Sequence, residues 1–519
     1  MKKISVAGLY LYLCSSMVCG DTKTMNETPE SWYHSGQLEL NNAIAAQQIN
    51  TNKTKNIILF IGDGMGVSTV TASRIFDGQS KGLAGEEHLL SFEHFPHVAL
   101  SKTYNTNQQT PDSAGTMTAM MSGIKSKAGF IGVDQTAERG NCKSAQSAKL
   151  STILDQAKQA GMSTGIVTTA RITHATPAAT YSHSPERDWE SDADMPDSEV
   201  QAGCQDIATQ LIDFSVPSSK SSDNTQTQIN HGIDIILGGG RRSFLPRKED
   251  NSSAKQLGVR KDGKNLIQEW LDKNPNGRYA ANKKELDAID LENTQTLLGL
   301  FNPSHMHYEA DRANSEEPSL TEMTRKAIQL LQKNKKGFFL MVESGRIDHG
   351  HHAGNALRAL TDTQEFSRAV QSAIDMVDTN DTLMIVTADH SHTLTIAGYP
   401  TRGNPILGKA ISNDSKGNPQ TIDQLAADKM PYTTLGYRNG PGHDGNGRKD
   451  LSKKNTQEKN FRQESLVPML SESHAGEDVA IYAIGPWSHL FHKTHEQHYI
   501  FHVMQHSLGL TSATMARQR

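Results

Sequence analysis

Cysteine is scarce in this chain of 519 residues: there are four, and Cys14 and Cys19 fall within the first twenty positions. Only Cys142 and Cys204 remain for the rest of the chain. That excludes a disulfide-stapled scaffold and leaves either one disulfide or two free thiols. A large charge of one sign is also missing. The net charge of −5 gives no electrostatic reason to expect nucleic acid or an anionic membrane as partner. Beyond the first segment no apolar run approaches the ~20 residues that cross a bilayer. The C-terminus, ending Ala516-Arg517-Gln518-Arg519, is too polar for a glycolipid-anchor signal. Neither an internal repeat nor a long low-complexity tract is present, so a repeat array is excluded.

What is present begins with an export signal. Lys2 and Lys3 are followed by an apolar run from Ile4 to Leu13, and Val18-Cys19-Gly20 can precede a signal-peptidase cut. Residues 1–20 therefore read as a signal peptide, and the mature protein is expected in the periplasm or outside the cell. Acylation of Cys19 is the alternative, although Ser16-Met17-Val18 matches a lipobox poorly. Residues 21–54 are polar and helix-capable and read as an N-terminal arm.

From Lys55 short apolar runs recur, each ending in small or acidic residues. They are Asn56–Ile61 before Gly62-Asp63-Gly64, Thr164–Val167, Ile233–Leu237, Gly337–Val342 before Glu343, Leu383–Val386 before Asp389-His390, and Val479–Ile484. Such runs predict buried parallel strands. The amphipathic stretches Ala145–Ala160, Ser319–Lys333 and Thr361–Val377 predict helices between them. Alternation of this kind means an α/β sheet covered on both faces, with functional groups at the carboxyl ends of its strands. Residues 241–318 and 396–473 are polar and irregular and read as insertions.

Chemistry concentrates at those strand ends. Asp63 ends one run, Glu343 another, Asp389 and His390 a third, and His474 precedes the last. Asp348 and His352 are four apart, one face of a helical turn. Carboxylates with imidazoles suit zinc, and oxygen-rich groups suit magnesium. In Thr110-Pro111-Asp112-Ser113-Ala114-Gly115-Thr116, Ser113 is placed at a helix N-terminus that favours anions. Taken alone, Ser113 reads better as a helix cap than as a nucleophile.

Ile61-Gly62-Asp63-Gly64-Met65-Gly66, Pro111-Asp112-Ser113, Val386-Thr387-Ala388-Asp389-His390 and Ser473-His474-Ala475-Gly476-Glu477-Asp478 resemble the alkaline phosphatase family. Gly203-Cys204-Gln205-Asp206-Ile207-Ala208, Arg346-Ile347-Asp348-His349-Gly350-His351-His352 and Asn439-Gly440-Pro441-Gly442 are similar to its animal-type members more than to the enteric bacterial one. The similarity runs from about Pro29 to about Leu510. It implies a three-layer α/β sandwich with a central, mostly parallel sheet over residues 55–519, carrying a peripheral insertion at about 241–318 and a crown at about 396–473.

By the same resemblance, Ser113 is the nucleophile of phosphate-monoester hydrolysis, and Arg187, oriented by Asp112, binds the phosphate. Asp348, His352 and His474 match ligands of one zinc. Asp389 and His390, with Asp63, match those of a second, and Thr176 and Glu343, again with Asp63, match a magnesium site. His174 would act through water on the magnesium, and His349 would reach phosphate through water. His351 and His392 are read as structural or surface residues. Cys142 and Cys204 match a family disulfide, and the family is usually a homodimer. A calcium site of the animal-type enzymes would draw on Phe301, Asn302, Glu317 and Glu249 or Asp250. Asn302 stands where the family has Glu, which weakens that expectation.

Two neighbouring activities fit less well. Sulfatases need a Cys/Ser-x-Pro-x-Arg setting that Ser113-Ala114-Gly115-Thr116 does not supply. Diesterases commonly use Thr as nucleophile and lack the Arg187 equivalent. A catalytically dead metal-binding protein would have lost a ligand or Ser113, and none is missing.

Overall fold

The computed structural model describes residues 28–45, 49–217, 229–247, 258–443 and 445–510. The expected signal peptide, with Cys14 and Cys19, and Glu249 and Asp250 lie outside the described residues. Two compact units are formed, Met1–Gln48 and Ile49–Arg519. In the first, the helix-capable stretch forms α1 (Pro29–Ala45).

The second unit is built on a ten-stranded sheet. Its strands are β1 (Asn56–Gly62), β2 (His97–Lys102), β3 (Ser163–Arg171), β4 (Ile235–Gly239), β5 (Gly277–Ala280), β6 (Thr296–Leu300), β7 (Phe338–Ser344), β8 (Thr382–Thr387), β9 (Val479–Ile484) and β10 (Thr494–Glu496). Their order across the sheet is β10-β2-β9-β8-β1-β7-β3-β4-β6-β5. The central strands are apolar without interruption because both faces are covered. Ile57, Leu59 and Ile61 point to one face, against Met117 and Met120 of α3 (Ser113–Ser122) and Phe501 of α7 (Tyr499–Leu508). Ile58 and Phe60 point to the other, against Met323 of α4 (Leu320–Leu331) and Phe366 of α6 (Ala356–Ile374). This is the two-residue alternation of a pleated strand.

Neighbouring strands are parallel except at β9, which is antiparallel to both β8 and β2. The expectation of a parallel strand at Val479–Ile484 is thus corrected. The chain enters β9 from His474, at the carboxyl edge of its neighbours, and so must run back. Its burial alternates, with Val479, Ile481 and Ala483 inside. The single helix expected over Ala145–Ala160 is also corrected. It is two short helices, Cys142–Ser147 and Ile153–Gln159, because Thr152 and Asp155 form a capping box that starts the second.

The stretch 241–318, read as an insertion, contributes β5 and β6 to one edge of the main sheet. Within 396–473 a three-stranded sheet forms, with Leu435–Gly440 between Leu394–Ile396 and Glu464–Pro468. Leu394, Leu435 and Tyr437 pack with Ile75 of α2 (Val67–Ser80) and Leu360 of α6. Cys142 and Cys204 are joined in a disulfide, with Cα atoms 5.7 Å apart. Among the described residues no helix is long and apolar enough to cross a membrane.

Candidate active site

The nucleophile candidate does not cap its helix. Asp112 is the N-cap of α3, in extended conformation, and its side chain accepts from Gly115 N. Ser113 is therefore the first helical residue, its Oγ free to turn into the site, where it lies 3.0 Å from His390 Nε2. Asp112 has a second task. Its Oδ2 accepts from Gly129 N at 2.8 Å and from Arg187 Nη1 at 3.0 Å. Burial opposes the charge on Arg187, but Asp112 outweighs it and holds the guanidinium above its ordinary range. A planar donor pair is thereby anchored by the residue that precedes Ser113.

Around these two residues the strand ends deliver carboxylates and imidazoles. Asp63 follows β1 directly and turns away through Gly64, whose φ of +69° and closeness to the His392 ring leave no room for a Cβ. Glu343 lies in β7, and Asp389 and His390 follow β8. α5 (Arg346–His352) follows β7 and places Asp348 and His352 one turn apart. Thr176 belongs to the short helix Ala175–Ala178 after β3.

Three atoms of this set form a telling triangle. His352 Nε2 and His474 Nε2 are 3.2 Å apart, and they lie 3.4 and 3.3 Å from Asp348 Oδ1. His474 Nδ1 faces Pro111 O at 2.8 Å, and His352 Nδ1 faces Glu472 O. Each ring therefore donates from Nδ1 and turns the lone pair of Nε2 into the triangle. Three electron-rich atoms at such distances repel unless a cation lies among them. A tetrahedral ion with bonds of about 2.0–2.1 Å has ligand–ligand edges of about 3.3–3.4 Å, which these distances match.

A second group adjoins it. His390 Nε2 is 3.2 Å from Asp389 Oδ2 and 3.6 Å from Asp63 Oδ1. Here buried oxygens stand without a hydrogen-bond partner: both of Asp63, Oδ2 of Asp389, Oε1 of Glu343 and Oγ1 of Thr176. Uncompensated buried carboxylates are costly. Burial and the neighbouring Asp389 and Asp348 push Asp63 well above its ordinary range, and burial pushes Glu343 up to about 7. His390 is held well below its ordinary range by burial and the neighbouring His474, so it offers a neutral imidazole. The donor sets fit bound cations: nitrogen and oxygen around Asp348 and His390, oxygen around Asp63, Thr176 and Glu343.

His174 and His349 both lie here. His174 Nε2 is 3.3 Å from Arg187 Nη2, and a nitrogen of His174 lies within 4.8 Å of carboxylate oxygens of Asp63 and Glu343. The His349 and His305 rings are 4.1 Å apart. Burial keeps both His174 and His349 neutral, the latter pushed down to about 3.

His392, read as structural or surface, is instead buried inside the site. Its Nε2 lies 2.6 Å from Asp348 Oδ1 and its Nδ1 2.5 Å from Glu472 Oε2. A signal existed: His390 and His392 are two residues apart along extended chain and so share a side. His351 is buried too, between Thr69 Oγ1 at 3.0 Å and Tyr437 Oη at 2.8 Å, and has a structural place. Glu472 and His305 went unread, since the side chains they meet, His392 and Arg171, lie far away in sequence.

Of the expected calcium site, the described residues Asn302 and Glu317 come together and already satisfy one another. Glu317 Oε1 accepts from Asn302 Nδ2 at 2.6 Å and from His307 Nδ1 at 2.8 Å, and Oε2 accepts from His307 N at 2.8 Å. Asn302 Oδ1 accepts from Ser304 N at 2.9 Å. Phe301 is buried beside them. N–H groups stand where a cation would need oxygen lone pairs, so the donor set does not fit calcium.

A serine at a helix N-terminus, a clamped arginine and clustered carboxylates and imidazoles that could hold cations, gathered at the carboxyl edge of a mostly parallel sheet, fit a hydrolytic enzyme of α/β fold. The sequence profile of the alkaline phosphatase family matches residues 54–510. The chain is 46% identical over 488 residues to the tissue-nonspecific alkaline phosphatase of Homo sapiens, covering 92% of this chain and 88% of that one. It is 44% identical over 487 residues to the alkaline phosphatase of Gadus morhua, covering 92% and 97%. The chain belongs to the alkaline phosphatase family and is an alkaline phosphatase. Its fold is that of the Thermus thermophilus alkaline phosphatase (TM-score 0.62, 22% identity, 90% of this chain and 94% of that one). It is also that of an alkaline phosphatase from the Antarctic bacterium TAB5 (TM-score 0.59, 22% identity, 90% and 100%).

Proposed function

We propose that the chain hydrolyses phosphate monoesters through a phosphoserine on Ser113. The observation that carries this reading is the position of Ser113 Oγ, 3.0 Å from a neutral His390 and beside an arginine clamped by Asp112. Arg187 would donate two hydrogen bonds to non-bridging phosphate oxygens and hold phosphorus in line with Oγ. Ser113 Oγ attacks phosphorus as its proton passes to solvent, the P–O bond to the alcohol breaks, and the alcohol leaves with a proton taken back from solvent. Water then attacks the phosphoserine, releasing inorganic phosphate and restoring the hydroxyl.

Asp348, His352 and His474 would hold one zinc, Asp389, His390 and Asp63 a second, and Asp63, Thr176 and Glu343 a magnesium. When bound, these ions supply Lewis acidity to the serine, the water and the departing oxygen. His174 and His349 would order water around the phosphate. The guanidinium complements the extra charge of a monoester, which sets the preference over diesters.

The chain is read as an exported homodimer, with residues 55–519 as the catalytic domain and about 396–473 as its crown. Calcium is left out of this reading, because among the described residues Asn302 and His307 already satisfy Glu317. Ser113→Ala tests the reading: hydrolysis of an aryl phosphate should fall on the order of 10³-fold or more in kcat. Hydrolysis at the wild-type rate would remove Ser113 from the mechanism.

A further inference from the structure

Glu472 is almost fully buried, 1% exposed, and every hydrogen-bonding group it has is used. Its N–H donates to His352 O at 3.0 Å, and its own carbonyl receives His352 Nδ1. Its Oε1 accepts from Thr393 N at 2.7 Å and Thr393 Oγ1 at 2.6 Å. Its Oε2 faces His392 Nδ1 at 2.5 Å, and His392 Nε2 faces Asp348 Oδ1 at 2.6 Å. Two residues later comes His474. One side chain and one peptide thus stand behind two members of the triangle formed by Asp348, His352 and His474, and lie two residues before the third.

We propose that Glu472 is a positioning residue for the cation bound by Asp348, His352 and His474, fixing His352 through its carbonyl and Asp348 through His392. The inference rests on reading that triangle as a metal site. The carbonyl holds the His352 tautomer whose Nε2 carries a lone pair. The side chain acts by position. With one ring nitrogen at Glu472 Oε2 and the other at Asp348 Oδ1, His392 is pinned between the two carboxylates, and Glu472 thereby fixes the orientation of the Asp348 carboxylate. Thr393 holds the outer end in place.

The test uses the full protein, stripped of metal and titrated with Co²⁺, whose visible spectrum reports tetrahedral sites, and with Zn²⁺ against a chromophoric chelator. Glu472→Gln should weaken one bound equivalent about 10- to 100-fold, the usual cost of removing such a partner. The equivalent held by Asp63, Asp389 and His390 should keep its affinity. Thr393→Val, a milder change at the outer end, should weaken the same equivalent severalfold, and it decides the case alone if Glu472→Gln does not fold. Wild-type affinity at every site in the variants overturns the proposal, as does an equal loss at all sites, which would mark general loosening. Asp348→Asn separates the two levels. If it too binds every equivalent normally, the metal reading of the triangle fails and takes the proposal with it. If Asp348→Asn loses the equivalent and Glu472→Gln does not, only the positioning role falls.

Discussion

Asp112 and Ser113 show how one residue frees its neighbour for chemistry. A serine after a proline turn looks like a cap, but the cap is the aspartate before it. The same carboxylate clamps Arg187, so the helix start and that guanidinium share one anchor. Replacing Arg187 by Ala should lower kcat/KM for a monoester about 10²-fold, in the range found for losing one preorganised donor to a developing charge. The loss for a diester should be smaller, because it lacks the extra charge that Arg187 meets. Steady-state kinetics on matched mono- and diester substrates check this, and equal losses would break the link between Arg187 and specificity. Asp63, Glu343, Asp389 and His390 were legible because each follows or ends an apolar run. Glu472 was not, since its meaning lies in His392, eighty positions away.

At the scale of elements, continuous apolar runs such as Asn56–Gly62 and Phe338–Ser344 announced central strands, and i, i+4 spacing announced α5. The direction of β9 depended on where the preceding loop ends, which no periodicity records. β5 and β6 were hidden because Gly277–Ala280 and Thr296–Leu300 are short and lie in a polar stretch.

The long helix α6 carries an unusual group in Asp362, buried and accepting from Glu309 N at 3.1 Å. Burial raises its carboxyl, only partly opposed by Arg346, and pushes it from an ordinary 3.8 up to about 8. Between those values the folded protein holds a proton that the unfolded chain releases. The stabilisation is full below about pH 4 and is lost as pH rises through about 8. Thermal unfolding of Asp362→Asn should therefore gain on wild type as pH climbs from 5 to 9, tracked as the difference in Tm at each pH. A difference that does not change with pH would show that Asp362 ionises normally.

At the scale of the whole molecule, the ten-stranded sheet gathers at its carboxyl edge groups from across the chain, from Asp63 to His474. The metal ions expected there and the calcium expected near Glu317 give opposite forecasts. Stripping calcium with a selective chelator should leave Tm and activity unchanged, because Asn302 and His307 already satisfy Glu317. A zinc chelator should abolish activity. A fall in Tm on calcium removal alone would contradict the assignment at Asn302.

The central claim is a phosphate carried on Ser113. Mixing the metal-loaded protein with an aryl phosphate, quenching in acid and mapping the peptides tests it most directly. The account predicts one phosphorylated peptide, the one containing Ser113. Phosphate on another residue, or turnover with no phosphorylated peptide at any quench pH, would contradict it.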